Sequence, residues 1–405
     1  MRRPTFTAGL ALALALALPG TAHAVTPAQA AGYGAGYLGR LMDPTGYVPS
    51  LSGPDYGTTA SAVLALVAAG YGEAQAAEAT AYLMSHVDAF AVDGGGDDKP
   101  AALASLVLVA EARGLDSAAL VTRLLATKRT AGPDAGLFGE QDATYDGAYR
   151  QALALLALAA AGTTDADAVG WLTAEQCADG GWMGDNPDPS AACPDFDFDT
   201  FVGEDTNGTA LAAQALAALG ETPAHDPLAF LATARNPDGG YGFVPGFASD
   251  ANSTALAAQA LVAAGQDATA SRAFLVTLQL GVPPLKTAGA LAFQAGQAAN
   301  PFATAQAVPA MAGKPYPIAP ATLSNGLPLI ATPVAPPAVT PTPATPSPSA
   351  SPARVVNAAP VPTLPDTGRG EQPWDTTGQV VFGLGLVGYG VLALGGARLL
   401  ARRRR

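Results

Sequence analysis

The strongest constraint on how this chain folds is a repeat. Three segments align without gaps: Asp55–Gly70 (DYGTTASAVLALVAAG), Asp205–Gly220 (DTNGTALAAQALAALG) and Asp250–Gly265 (DANSTALAAQALVAAG). Each opens with Asp, carries Thr-Ala at its fifth and sixth places, continues in Ala and Leu, and closes on Gly. Gly147–Gly162 is a fourth copy with Asp146 just before it, and looser copies cover Lys99–Gly114 and Asn300–Gly313. Ala and Leu are strong helix formers, so each copy reads as one helix. The opening Asp or Asn can accept from the orphan N–H groups of the first turn, and the closing Gly can take the left-handed position after the last turn. A helix that is apolar nearly all round must be buried on most sides.

Amphipathic helices are expected between the copies, near Gln29–Leu41, Glu73–His86, Ser117–Thr127, Asp165–Cys177, Asp226–Arg235 and Ala268–Gln279. Buried helices alternating with half-buried ones fit an inner ring wrapped by an outer ring. The expected fold is all-α: a closed α/α toroid of about six inner and six outer helices. No period-2 alternation runs long enough to suggest a sheet. The outer helices end in glycine–aromatic turns, such as Gln176-Cys177-Ala178-Asp179-Gly180-Gly181-Trp182 and Asn236-Pro237-Asp238-Gly239-Gly240-Tyr241. Glycine permits the tight turn, and the ring can pack against a neighbouring helix end.

These turns resemble the QW motif of the squalene–hopene cyclase and protein prenyltransferase superfamily, which implies an α6/α6 toroid over about Pro27–Pro320. The closing segment Asn300-Pro301-Phe302-Ala303-Thr304-Ala305-Gln306, running on to Lys314-Pro315-Tyr316, resembles the end of the helical domain of transcobalamin and intrinsic factor. That likeness implies cobalamin as a ligand. The family's second, β domain has no counterpart in this sequence, where a Pro-rich stretch follows instead.

Both ends read as delivery segments. Residues 1–24 have the basic start (Arg2, Arg3), the Ala/Leu core and the Ala22-His23-Ala24 site of a secretory signal, so signal peptidase is an expected partner. The expected folded domain is 25–331. Residues 332–363 are rich in Pro, Ala and Thr, which suits an extended, disordered stalk. Leu364-Pro365-Asp366-Thr367-Gly368 follows, then an apolar run within 378–400 that is expected to form one transmembrane helix, then a basic cytoplasmic tail at 401–405. The triplet of motif, span and basic tail resembles the sorting signal of sortase substrates in Gram-positive bacteria. It implies cleavage after Thr367 and a bond from its carbonyl to peptidoglycan. The chain is thus expected to be exported and wall-anchored, and a single-pass membrane protein only in transit.

The formal net charge is −13, with positive charge gathered at the ends, so nucleic acid is not an expected partner. Cys177 and Cys193 are the only cysteines, and export permits a disulfide between them. No zinc-ligand spacing is present, and no metal or cofactor is expected. Acidic residues from Asp185 to Asp199 lack the ligand order of an EF-hand, so a Ca²⁺ site there is a minor alternative to a solvated loop. A DxDD cyclase acid is absent, since Asp195-Phe196-Asp197-Phe198-Asp199 has a different spacing. Asp55, Asp146, Glu204, Asp205 and Asp250, with Tyr56 and Tyr149, lie at or near the starts of inner helices and are the ligand-binding candidates. N-capping alone also explains why the acids recur there. The preferred reading is a non-catalytic toroid presenting a rim to a small molecule, glycan or protein. Corrinoid capture, a glycan-active enzyme using rim carboxylates, and a passive surface-layer protein are its alternatives.

Overall fold

The structure is a computed structural model describing residues 25–139, 147–186, 193–194, 196–197 and 202–330. The signal peptide, the stalk, the LPDTG motif, the membrane span, the basic tail and Asp146 lie outside the described residues. Among the described residues, no helix is long and apolar enough to cross a membrane.

In chain order the helices are α1 (Pro27–Met42), α2 (Tyr56–Ala69), α3 (Glu73–Ser85), the short α4 (Val87–Ala91), α5 (Pro100–Ala112), α6 (Ala118–Ala126) and α7 (Ala148–Ala160). They continue with α8 (Ala166–Ala174), α9 (Thr206–Leu219), α10 (Pro227–Thr233), α11 (Ala251–Ala263), α12 (Thr269–Thr277) and α13 (Pro301–Ala312). The six repeat copies are α2, α5, α7, α9, α11 and α13. Each packs on the next, and α13 packs back on α2, so they close a ring. Nearly all of α5 is buried, as its almost uniformly apolar sequence requires, and α11 buries its polar Asn252, Ser253, Thr254 and Gln259 along with its Ala and Leu. The helices α1, α3, α6, α8, α10 and α12 lie outside this ring. A two-residue hairpin, β1 (Val48–Pro49) with β2 (Pro54–Asp55), joins α1 to α2.

Apart from α1, which exceeds the expected Gln29–Leu41 at both ends, the outer helices are shorter than their sequence patterns suggest. Asp226–Arg235, for example, yields α10 only over Pro227–Thr233. The remaining residues of each pattern enter the glycine–aromatic turn. There Arg235 bridges to Tyr241, and Tyr241 bridges to Asp250, the residue that starts the next inner helix.

The fifth place of the repeat ties these turns to the ring. Thr59 accepts the backbone N–H of Val48 at 2.9 Å, Thr209 that of Trp182 at 2.9 Å, Thr254 that of Tyr241 at 2.9 Å, and Thr304 that of Leu291 at 2.8 Å. In α7 the fifth place is Gln151, which accepts from Phe138 at 3.0 Å. A buried N–H needs such a partner, which accounts for a polar residue recurring inside an Ala/Leu helix. The Trp182 ring is fully buried, and its indole N–H donates to the Leu172 carbonyl of α8 at 2.8 Å.

Past α13 the chain does not leave the domain. Residues 314–330 form a strap across the ring. Gln259 of α11 donates to the Lys314 carbonyl at 2.9 Å, and Gln214 of α9 accepts the Tyr316 N–H at 3.0 Å. Ser324 then bridges to Gly70 and Gly72 after α2. Finally Leu327 and Pro328 lie on the glycines of α1: a Cβ on Gly36 would stand 1.9 Å from the Pro328 carbonyl oxygen, and one on Gly39 would stand 2.5 Å from Leu327. Arg40 donates to the same Pro328 carbonyl at 3.3 Å. The packed domain therefore runs beyond Pro320, with Ile330 still buried.

Candidate functional site

The ring encloses a small cavity of about 30 Å³. The seventh place of all six repeat copies lines it: Ser61, Ser105, Leu153, Leu211, Leu256 and Gln306, with Tyr149 from the third place of α7. In a helix, places three and seven share one face, a turn apart. The third places Gly57, Ala101, Tyr149, Asn207, Asn252 and Phe302 therefore lie a turn nearer the helix starts on the same face, and of these only Tyr149 is part of the cavity lining. On the other side Tyr316 of the strap completes the lining.

The polar groups of this layer form an incomplete network. Asn252 donates through Nδ2 to Gln306 Oε1 at 2.7 Å, and Gln306 hydrogen-bonds the Tyr149 hydroxyl. Burial pushes the Tyr149 phenol above its ordinary range and that of Tyr316 up to about 12, so both rings stay neutral donors. Asn252 is 0% exposed, yet its Oδ1 has no partner. Asn207 is 2% exposed, and neither its Nδ2 nor its Oδ1 has one. The described cavity lining carries no formal charge.

The candidate residues are distributed otherwise than around one open rim. Asp55, Asp205 and Asp250 are buried N-caps. Asp55 accepts from the Thr58 N–H at 2.8 Å and the Thr58 hydroxyl at 2.7 Å. Asp205 accepts from the N–H groups of Asn207, Gly208 and Gly184, each at 2.8 Å. Asp250 accepts from the Asn252 and Ser253 N–H groups at 2.9 and 2.8 Å, and from the Ser253 hydroxyl at 2.8 Å. Burial raises Asp205 to about 6 and Asp250 to about 7, against the opposing pull of those N–H donors. Tyr56 points away from the channel, into a stack with Tyr82 and Phe90. Of the described candidates, only Tyr149 lines the cavity.

Cys177 and Cys193 are joined, with their Cα atoms 5.9 Å apart. Glu204 brings a carboxylate oxygen near the two sulfurs, the one group with metal-ligand spacing among the described residues. Disulfide sulfurs are not thiolate ligands, so as bonded here the group does not form a metal set.

Asn207, Asn252 and Gln306 are the site residues that sequence reasoning missed. Asn207 and Asn252 read as parts of cap sequences that also match glycosylation sequons (Asn207-Gly208-Thr209 and Asn252-Ser253-Thr254). Their burial removes both side chains from the surface. Reading the aligned repeats column by column would have singled them out as polar residues at third and seventh places, beside the polar residues at the fifth place and Gln214 and Gln259 at the tenth.

No protein-family model matches the chain, and no curated protein matches it either. Among solved structures, the chain is similar to a type II terpene cyclase, MstE, from Scytonema in complex with merosterolic acid A. The two share 16% identity over 71% of this chain and 96% of that one, with a TM-score of 0.50. It is also similar to the protein geranylgeranyltransferase-I of Candida albicans in complex with GGPP (11% identity, 62% and 82% coverage, TM-score 0.43) and to a variant of a glycosidase (14% identity, 71% and 95% coverage, TM-score 0.42). The similarity to the terpene cyclase is one of fold: the chain is an α/α toroid.

Proposed function

We propose that this chain is a surface-displayed binding protein whose toroid takes up a neutral, amide-bearing small molecule and performs no chemistry on it. The observation that carries this reading is the unpaired amide chemistry of Asn207 and Asn252 on the channel face. A buried polar group left without a partner costs about 1–3 kcal/mol, and native interiors seldom retain one without cause. An asparagine offers one donor and one acceptor side by side, and the complement of that pair is another amide. About 30 Å³ admits such a group, or roughly two waters, and excludes anything of cofactor size. The bulk of the ligand therefore lies outside the cavity.

Corrinoid capture is the second reading, favoured by the same two residues. A corrin ring carries carboxamide side chains at its edge, and one of them would enter between α9 and α11 while the ring lies across the mouth. The wall anchor rests on the signal peptide, LPDTG, the apolar run and the terminal arginines together.

The test is a titration of the full-length chain, purified in a non-glycosidic detergent, with cyanocobalamin and with acetamido sugars. Saturable binding lost in Asn207→Leu and Asn252→Leu is expected. Binding of cyanocobalamin alone selects the corrinoid, and no binding of either probe overturns the amide reading. Release of sugar from a glycan, abolished by Asp205→Asn, would establish the enzymatic alternative instead. For the anchor, Thr367 is expected to be the last residue of protein released by wall digestion. Recovery of intact Arg405 from the membrane fraction would refute it.

A further inference from the structure

The hairpin β1–β2, the start of α2 and the α3–α4 corner bring a group of aromatic side chains together outside the ring. Tyr56 stacks on Phe90 with centroids 5.6 Å apart and planes 17° apart, and on Tyr82 at 6.0 Å and 18°. Tyr82 stacks on His86 at 4.2 Å and 24°, and Tyr47 leans on Tyr82 at 4.9 Å. Phe90 is buried and forms the inner end of the stack, while Tyr47, Tyr56, Tyr82 and His86 are each half-buried. Aromatic residues are only 7% of the chain, so this concentration on one surface is not set by composition.

The polar chemistry here is as ordered as the stacking. His86 Nδ1 lies 2.9 Å from the Tyr82 carbonyl oxygen. A carbonyl can only accept, so in the neutral ring Nδ1 carries the proton and Nε2 is left as an acceptor. The three phenols converge: Tyr82 is raised to about 12 by desolvation and by the neighbouring Tyr56 and Tyr47 hydroxyls. Nearby, Asp88 is paired with Arg123 at 2.8 Å and Lys99 lies 6.0 Å from the ring centre of Phe90, the buried end of the stack, while the exposed Glu78 of α3 packs against Gly46 beside Tyr47. Beside the stack, the hairpin tip places Leu51 77% exposed.

We propose that this tyrosine–histidine stack is a second binding site, separate from the channel, for the pyranose rings of a neutral polysaccharide. A pyranose offers an apolar C–H face with hydroxyls around its edge. The stack offers the complement: near-parallel ring faces bordered by three phenol hydroxyls and an imidazole acceptor. A cationic ligand would call for rings set around a point with their faces turned inward, whereas the planes of Phe90 and Tyr56 differ by 17°, of Tyr56 and Tyr82 by 18° and of Tyr82 and His86 by 24°, the tilt reaching 39° between Tyr56 and His86. The Glu78 carboxylate beside Tyr47 repels an acidic glycan. The site does not depend on what the channel binds.

The test is a titration of the full-length chain, in non-glycosidic detergent, with the β-1,4-linked hexaose of glucose, which carries no amide for the channel, read by calorimetry and by saturation transfer to the sugar C–H protons. Saturable binding is expected, weakened at least tenfold by Tyr82→Ala and about fivefold by His86→Ala. Tyr82→Phe, which keeps the ring, should stay within about threefold of the parent. Asn207→Leu, which removes one of the inward-facing amides, should leave this binding unchanged. Circular dichroism melts of each variant establish that it is folded, and His86→Ala stands in if Tyr82→Ala is not. Absence of saturable binding overturns the proposal. So does binding that survives both ring deletions, that is lost in Asn207→Leu, or that adenosine shows in place of the sugar.

Discussion

Asp205 and Asp250 are the residues at which the interior of this protein meets solution pH. An aspartate whose folded pKa is raised from 3.8 to about 6 or 7 binds its proton more tightly in the folded chain than in the unfolded one. Its stabilising contribution is complete below the unfolded value and is lost as pH rises through the folded value. Melting temperature should therefore climb as pH falls from 8 to about 5. Glu73 acts in the opposite sense: its bond to Arg113 holds it below the ordinary carboxylate range, so its contribution is lost only at more acid pH. Asp250→Asn keeps a cap acceptor and removes the titration, so the slope between pH 5 and 7.5 should flatten. An unchanged slope in calorimetric melts would count against this assignment. Asn207→Leu tests the neighbouring layer. Replacing an unpaired buried amide with an apolar group of similar size should raise the stability of the ligand-free protein by about 1 kcal/mol while abolishing ligand binding. A destabilised variant would show that the amide already has a partner in the free protein.

Elements explain what sequence could and could not reveal. The inner helices were legible because their copies align and each is closed by its own cap and glycine. The use of the fifth-place threonine was not, because its partner lies in a turn donated by the preceding outer helix. Thr209→Val should accordingly cost about 1 kcal/mol or more by leaving the Trp182 N–H unpaired. The channel asparagines were hidden by their neighbours, since Asp205 and Asp250 make the surrounding residues read as caps. The strap was illegible for another reason. Residues 314–330 are irregular and proline-rich, like the sequence of the stalk after them, and only the closed ring brings the glycines of α1 beneath them. Helix glycines have opposite effects depending on such contacts. Gly36→Ala forces a methyl into the Pro328 carbonyl and should destabilise by about 1–3 kcal/mol. Gly170→Ala in α8, where nothing stands within 4 Å of the new methyl, should stabilise by about 0.5–1 kcal/mol. Urea melts of the pair would separate the two effects, and equal shifts would refute the strap contact.

At the scale of the whole molecule, the ring divides labour between its faces. The helix-start layer carries the amides, the aromatic stack lies outside near the start of α2, and the strap runs over α9, α11, α2 and α1. That route matters if the chain is tethered by its C-terminal end, as proposed above. A pull applied past residue 330 does not reach the α13–α2 seam directly. It first meets Pro328 and Leu327 on α1, then the Ser324 bridge beside α2, and only then Tyr316 at the cavity. Mechanical load is thus borne in shear by successive latches before the ring can be opened. The cavity sits behind the last of them.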